Sequence, residues 1–190
     1  MTKPILYIIS GCNGAGKTTA SLTILPEILK CREFINADEI AKGLSPFHPE
    51  EVAIEAGKIM LQRIDVLIAK GVTFAIETTL ATRSYKSLVK KAQEKGYEVI
   101  LLFFWLPSPQ MAEQRVALRV ASGGHNIPTD VIHRRYWLGL KNLFEIFVTI
   151  VDKWSLYDNT SDIVPIVENG EVKNLSQLNL IIESCQKMKK

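Results

Sequence analysis

Short, unbroken apolar runs alternate along the chain with segments whose apolar positions recur every three or four residues, the pattern of a parallel α/β sheet. The runs Ile5–Ser10, Glu33–Asn36, Val72–Glu77, Tyr97–Leu106 and Trp154–Asn159 read as five strands. The fourth contains VILLFFWL (Val99–Leu106) without a polar interruption, as suits a strand covered on both faces.

Helices are expected between these strands. One opens at Lys17 and is ended or kinked by Pro26. ADEIAKGL (Ala37–Leu44) turns directly out of the second strand, and SPFHPE (Ser45–Glu50) reads as a loop with a helix start at Pro49. Glu50–Lys70 is a long amphipathic helix, with Ile54, Leu61, Ile64, Leu67 and Ile68 on its apolar face and Gly71 as its stop. Ser84–Lys95, stopped by Gly96, and Gln110–Val120 are two further helices. The glycine-rich break SGGHNIP precedes a last long helix, capped by Thr129 or Asp130 and carried to Val151 by Ile132, Tyr136, Leu140, Leu143, Phe144 and Phe147. Asn169-Gly170 between short apolar runs signals a hairpin, and a terminal helix starts at Ser176. No repeat, low-complexity segment or linker divides the 190 residues, so a single domain over 1–190 is expected.

Composition changes this picture little. Hydrophobic residues make up 47% of the chain and charged ones 23%, ordinary for a globular domain. A net charge of +3, without interleaved basic and aromatic residues, does not call for nucleic acid as a partner. Cys12, Cys31 and Cys185 lie far apart with no metal-ligand spacing, which fits a reducing compartment. ILYIIS is too short for a secretory core, and VILLFFWL is less than half a membrane span. A cytoplasmic protein with no membrane partner is expected.

The chemistry begins at SGCNGAGKTT (Ser10–Thr19). Gly11 to Thr18 fill the pattern G-x-x-x-x-G-K-[ST], between an apolar strand and a helix start. The backbone of Gly11, Asn13, Gly14, Ala15 and Gly16 should cradle phosphates, with Lys17 reaching the terminal ones and Thr18 ligating Mg²⁺ beside Thr19. ATP and Mg²⁺ are therefore the expected cofactors. Cys12 fills a variable position and reads as structural.

A phosphate cradle serves switches, ATPases and transferases alike. The guanine-reading Asn-Lys-x-Asp and the switch motif Asp-x-x-Gly are both missing. A transport-type ATPase, completed by a second copy or partner, is suggested by ASGGH (Ala121–His125) and FVTIVD (Phe147–Asp152). Lys153 stands where such an ATPase places a glutamate, however, and FVTIVD continues a helical period. A nucleotide-binding module without turnover is the third alternative.

Transfer needs an acceptor base, metal ligands and positive charge. Asp38 lies just past the second strand and Glu77 ends the third, so both belong to the crevice at the strands' carboxyl ends. Asp38 would be the base, or a helix N-cap; Glu77 would hold metal and substrate, or cap a turn. Arg115 and Arg119 share a helix face before the glycine-rich break, as a lid over phosphates would, or else are solvated. One of Arg134 and Arg135 could face inward as well.

Together these residues resemble the zeta toxin family of kinases from Ile5 to Asn159. FINADEIA is similar to the family's strand-to-helix turn, which implies Asp38 as catalytic base. FAIETTLATR resembles the substrate-contacting segment, implying Glu77, Thr79 and Arg83. QRVALRVASGGHNIP resembles the lid that presents two arginines to ATP, implying Arg115 and Arg119. The GGHNIP…HRRY form is similar to the compact bacterial branch. The resemblance implies a P-loop NTPase fold: a three-layer α/β sandwich with a five-stranded parallel sheet in the order 2-3-1-4-5, a helical lid and a small C-terminal hairpin. It also implies transfer of the γ-phosphoryl group to an acceptor hydroxyl of a small molecule, for instance a nucleotide sugar such as UDP-N-acetylglucosamine, and an antitoxin as a candidate protein partner.

Overall fold

The structure is a computed structural model that describes residues 3–124 and 126–187. His125, the last residue of ASGGH, lies outside them. In chain order the elements are β1 (Ile5–Gly11), α1 (Lys17–Thr23), β2 (Phe34–Ile35), α2 (Ala37–Leu44), α3 (Ala53–Lys70), β3 (Phe74–Thr78), α4 (Tyr85–Glu94) and β4 (Glu98–Trp105). They continue with α5 (Pro109–Ala121), α6 (Thr129–Glu145), β5 (Lys153–Asp158), β6 (Val164–Glu168), β7 (Glu171–Val172) and α7 (Leu175–Lys187).

One sheet holds all seven strands in the order β2-β3-β1-β4-β5-β6-β7. The first five are parallel in the expected 2-3-1-4-5 order, and β6 and β7 add on antiparallel. The expected C-terminal hairpin is thus part of the sheet. Its turn is Asn169-Gly170, with φ of 50° and 85°, the mirror-image turn that matches strand twist. Leu6, Ile8 and Ile76 on one face and Tyr7, Ile9 and Ala75 on the other are all buried, so both faces of the central strands are covered.

Several boundaries differ from expectation for local reasons. The first helix ends at Thr23, ahead of Pro26, and the chain passes into a π-helical turn, Ile24–Ile28, after which Leu29 N–H reaches back to Ile24 O. The wider turn absorbs the proline's missing donor. α3 starts at Ala53, after a turn at Pro49–Val52, and buries Ala56, Met60, Ile64, Leu67 and Ile68. Ile54 and Leu61 instead point outward, 79% and 58% exposed. α6 ends at Glu145 rather than Val151, and Phe147–Thr149 forms a short 3₁₀ turn ahead of the β-branched residues Ile150 and Val151. Thr129 opens α6 without capping it, because its hydroxyl donates to Glu113 at 3.0 Å.

The ends of the sheet have opposite duties. Asp152 accepts hydrogen bonds from Val99 N–H (2.7 Å) and Gln93 (3.2 Å), at the amino end of β4. The glycine loop leaves β1 at Gly11, paired with Phe104 at the carboxyl end. Asp152 is therefore a structural clasp on the far edge, not a magnesium ligand of a transport-type ATPase.

Candidate active site

Register brings the chemistry to one edge. Ile9 is paired with Glu77 and Ser10 with Thr78, so the end of β3 stands beside the start of the glycine loop. Asn36 and α2 follow directly from the neighbouring β2. A cavity of about 1100 Å³ opens there, lined by the loop residues Asn13, Gly14 and Gly16 to Thr19, by Asn36, Asp38 and Glu77, and by Arg115, Arg119 and Arg135.

The loop is held in shape before any ligand arrives. Gly14 and Gly16 have φ of 77° and 75°; a Cβ on either would come within 2.6 Å of Ala112 O and of the Asn159 side chain, respectively. Asn159, just past β5, donates from Nδ2 to Ala15 O at 2.7 Å. Arg135 donates to Asn13 Oδ1 at 3.4 Å. The amides of Asn13, Gly14 and Gly16 donate to no backbone carbonyl among the described residues, which leaves them for an anion. Burial pushes the Cys12 thiol up to about 11 despite the nearby Lys17 cation, in keeping with a structural role.

Four side chains form a compact network at the bottom of the cavity. Lys17 Nζ, only 7% exposed, donates to Cys12 O at 2.9 Å and lies 3.7 Å from Glu77 Oε1. Glu77 Oε2 accepts from Thr18 Oγ1 at 2.8 Å and from Asn36 Nδ2 at 2.9 Å. The other end of Asn36 caps α2, its Oδ1 accepting from Asp38 N–H at 2.8 Å and Glu39 N–H at 3.4 Å. The cap of α2 is therefore Asn36, which frees the Asp38 carboxylate from the capping role and leaves it exposed on the cavity wall.

This set fits a magnesium nucleotide. Thr18 and Glu77 offer two adjacent oxygens, and the cradle supplies phosphate-facing amides. No cluster of three His, Cys, Asp or Glu suited to a metal occurs among the described residues. An ion held there would complete its shell with phosphate oxygens and water, as Mg²⁺ does.

Above the network, α5 and α6 carry the arginines. Ser108 caps α5, accepting from Met111 N–H at 3.1 Å. Arg115 donates to Thr160 O at 2.7 Å, and Arg119 lines the cavity beside Gly123 and Gly124. Of the two arginines on α6, Arg135 faces the cavity while Arg134 is exposed and does not line it. The opposite wall comes from α2 and the loop to α3: Lys42, bridged to Glu39 at 2.6 Å, and Phe47, which is 90% exposed. Burial pushes the Tyr85 phenol up, the Thr78 side chain offsets part of that, and the Asp38 carboxylate raises it further.

Thr79 and Arg83 are not brought to this cavity. The chain turns away immediately after Thr78: Leu80 has φ of 58°, its N–H is held by Thr78 Oγ1 at 3.0 Å, and its carbonyl accepts from Asn142 at 2.8 Å. Arg83 lines a separate depression on α4. Sequence reasoning also missed Asn36 and Asn159, and it left open which of Arg134 and Arg135 faces inward, which is Arg135. Asn36 carried a readable signal, an asparagine directly before a helical segment; Asn159 carried none, since its partner lies 144 residues away.

The sheet order and the glycine loop define the fold shared by the P-loop kinases. Within that class, the chain matches the Zeta toxin family over residues 1–170 and belongs to it. An uncharacterized protein of Haemophilus influenzae is 31% identical over 134 residues, 70% of this chain and 92% of that protein. Among solved structures, the AvrRxo1-ORF1:-ORF2 complex with ATP superposes with a TM-score of 0.79 at 17% identity. That likeness covers 94% of this chain, which spans only 63% of the other. The PezAT toxin-antitoxin system of Streptococcus pneumoniae gives a TM-score of 0.67 at 22% identity, covering 98% and 85% of the two chains. A gluconokinase of Sinorhizobium meliloti gives 0.51 at 15%, covering 96% and 98%. At such identities the structures attest the fold. No helix among the described residues is long and apolar enough to cross a membrane.

Proposed function

We propose that this protein is an ATP- and Mg²⁺-dependent kinase that phosphorylates a hydroxyl group of a small molecule. The observation that carries the reading is the division of one cavity into two walls. The buried Lys17–Thr18–Glu77–Asn36 network lies at its base, and an unengaged carboxylate, Asp38, stands on the wall formed by α2. Bound on the loop, MgATP would supply an electrophilic terminal phosphoryl group. Gly11 to Thr19 would hold the phosphates, with Thr18 and Glu77 holding the metal. Lys17 and Arg115 and Arg119 would neutralise charge as it moves between oxygens, and Arg135 would add to the same field. Asp38 would accept the proton from the acceptor hydroxyl. Closure of the α5–α6 region would keep water from competing with that hydroxyl.

The acceptor wall combines Phe47, the Lys42–Glu39 pair and Asp38. Such a mixture of one flat apolar face and several charges suits a polar ring-bearing molecule such as a nucleotide sugar. The pneumococcal and AvrRxo1 relatives are described as toxin-antitoxin and two-component assemblies, which supports an antitoxin-like protein as a partner here. The test is incubation with γ-labelled ATP and a panel of nucleotide sugars, nucleosides and dinucleotides, read by mass spectrometry. One acceptor gaining a single phosphate is expected. Release of free phosphate alone, whatever is offered, would replace the kinase reading with that of an ATPase.

A further inference from the structure

Arg83 plays no part in the cavity just described. It lines a second depression, about 620 Å³, together with Lys86 and Lys90, over an apolar floor of Val89 and Ile150. The two cavities share no lining residue. None of the residues lining this second one is acidic. Arg83 and Lys86 form no ion pair among the described residues, and Lys90 has only a distant, solvent-exposed contact with Glu94 at 3.8 Å. Gln93 fixes the far wall by donating to Ile150 O at 2.8 Å.

Lys86 and Lys90 are four apart on α4 and share one face, and Arg83, in the bend just ahead of the helix, lines the same depression, so the three cations repel one another. An anion seated among them would relieve that repulsion. Several cations around one point match a dianion better than a single carboxylate, and an arginine fork is suited to phosphate oxygens. Val89, Ile150 and the lysine stems would cover an apolar body, and the volume is that of a small-molecule site.

We propose that the α4 cleft binds a small organic phosphate, a phosphate group carried on an apolar or ring-shaped body, at a site distinct from the catalytic cavity. The proposal stands or falls independently of the kinase reading. It is tested by titrating phenyl phosphate into isotopically labelled protein and following backbone amide resonances. Saturable movement is expected at Ser84–Gln93 and Ile150, equally in wild type and in Lys17→Ala protein, whose glycine loop is impaired. Binding to the double variant Arg83→Gln/Lys86→Gln should be at least about tenfold weaker at unchanged melting temperature, as loss of charge-assisted contacts implies. Should that variant not fold, Lys90→Gln carries the same expectation. Phenol, with the ring but no phosphate, should leave these signals in place. The proposal is overturned if the α4 signals do not move, if sodium chloride of matched ionic strength moves them as far, or if only Gly11–Thr19 respond. It is equally overturned if a single-stranded oligonucleotide saturates α4 where phenyl phosphate cannot, since the cleft would then belong to a nucleic-acid track.

Discussion

The two walls of the large cavity are built on different principles. On the loop side, the functional side chains have partners within the chain: Lys17 with Cys12 O and Glu77, Thr18 with Glu77, and Asn13 with Arg135, while Asn159 holds the carbonyl of Ala15. On the α2 side, Asp38 is exposed, Phe47 is 90% exposed, and Lys42 and Glu39 satisfy each other at the surface. The first wall is preorganised and pays little ordering cost when charge arrives. The second leaves its contacts to be completed by whatever binds. A common donor needs a fixed seat, whereas the open wall is where relatives on one fold can differ in what they modify.

Perturbing the loop wall should have the largest effect. Lys17→Ala is expected to lower turnover by about a thousandfold, the scale of losing a preorganised electrostatic contact, with far-ultraviolet circular dichroism unchanged. Asp38→Ala probes the open wall: phosphoryl transfer should fall by about a hundredfold while nucleotide affinity, measured by calorimetry, stays near the wild-type value. Retained transfer would take the base role away from Asp38.

Asn36 joins the two walls and so sharpens the contrast. Asn36→Asp keeps the cap oxygen for α2 but replaces the donor to Glu77 with a second negative charge. The Mg²⁺ concentration for half-maximal turnover should rise about tenfold, the usual scale for losing a group that orients a metal ligand. Asn36→Ala would disturb the helix cap as well, and the difference between the variants in melting temperature separates positioning from folding. Phe47→Ala should raise the acceptor KM several-fold and leave the nucleotide KM and the melting temperature unmoved, because so exposed a ring contributes little to the core.

The smallest effect concerns the buried thiol. With its ionisation pushed to about 11, Cys12 is protonated at pH 8, with about one part in a thousand as thiolate. The half-buried Cys185 should therefore be alkylated by iodoacetamide well before Cys12, as peptide mass mapping would show. Cys12 modification should accelerate as pH rises toward 11, since thiolate accumulates only there.

Legibility in the sequence follows the same division. The five parallel strands, the glycine loop and the acids at the strand tips could be read because each rests on a local pattern: an apolar run, a glycine spacing, a residue just past a strand; the strand order came only with the family resemblance. Exact placements that depend on packing could not be read. Ile54 and Leu61 match a helical period yet lie outside the buried stripe, which Ala56 and Met60 share instead. The Thr79 and Arg83 assignments came from the family resemblance of FAIETTLATR, and in this chain one left-handed residue, Leu80, turns the backbone away from the large cavity. Asn159 reaches the loop across most of the sequence, and no spacing announces such a contact.

The sheet closes with unusually little at its margins. β2 and β7, the outermost strands, are two residues each, and β7 opens with Glu171 just ahead of Lys173. Strands so brief and so charged give an incoming chain almost no ladder to extend. Any second protein that recognises this one must consequently grip side chains on helices and loops rather than lengthen the sheet, so surface substitutions on those helices, not backbone mimics, are the means to disrupt it.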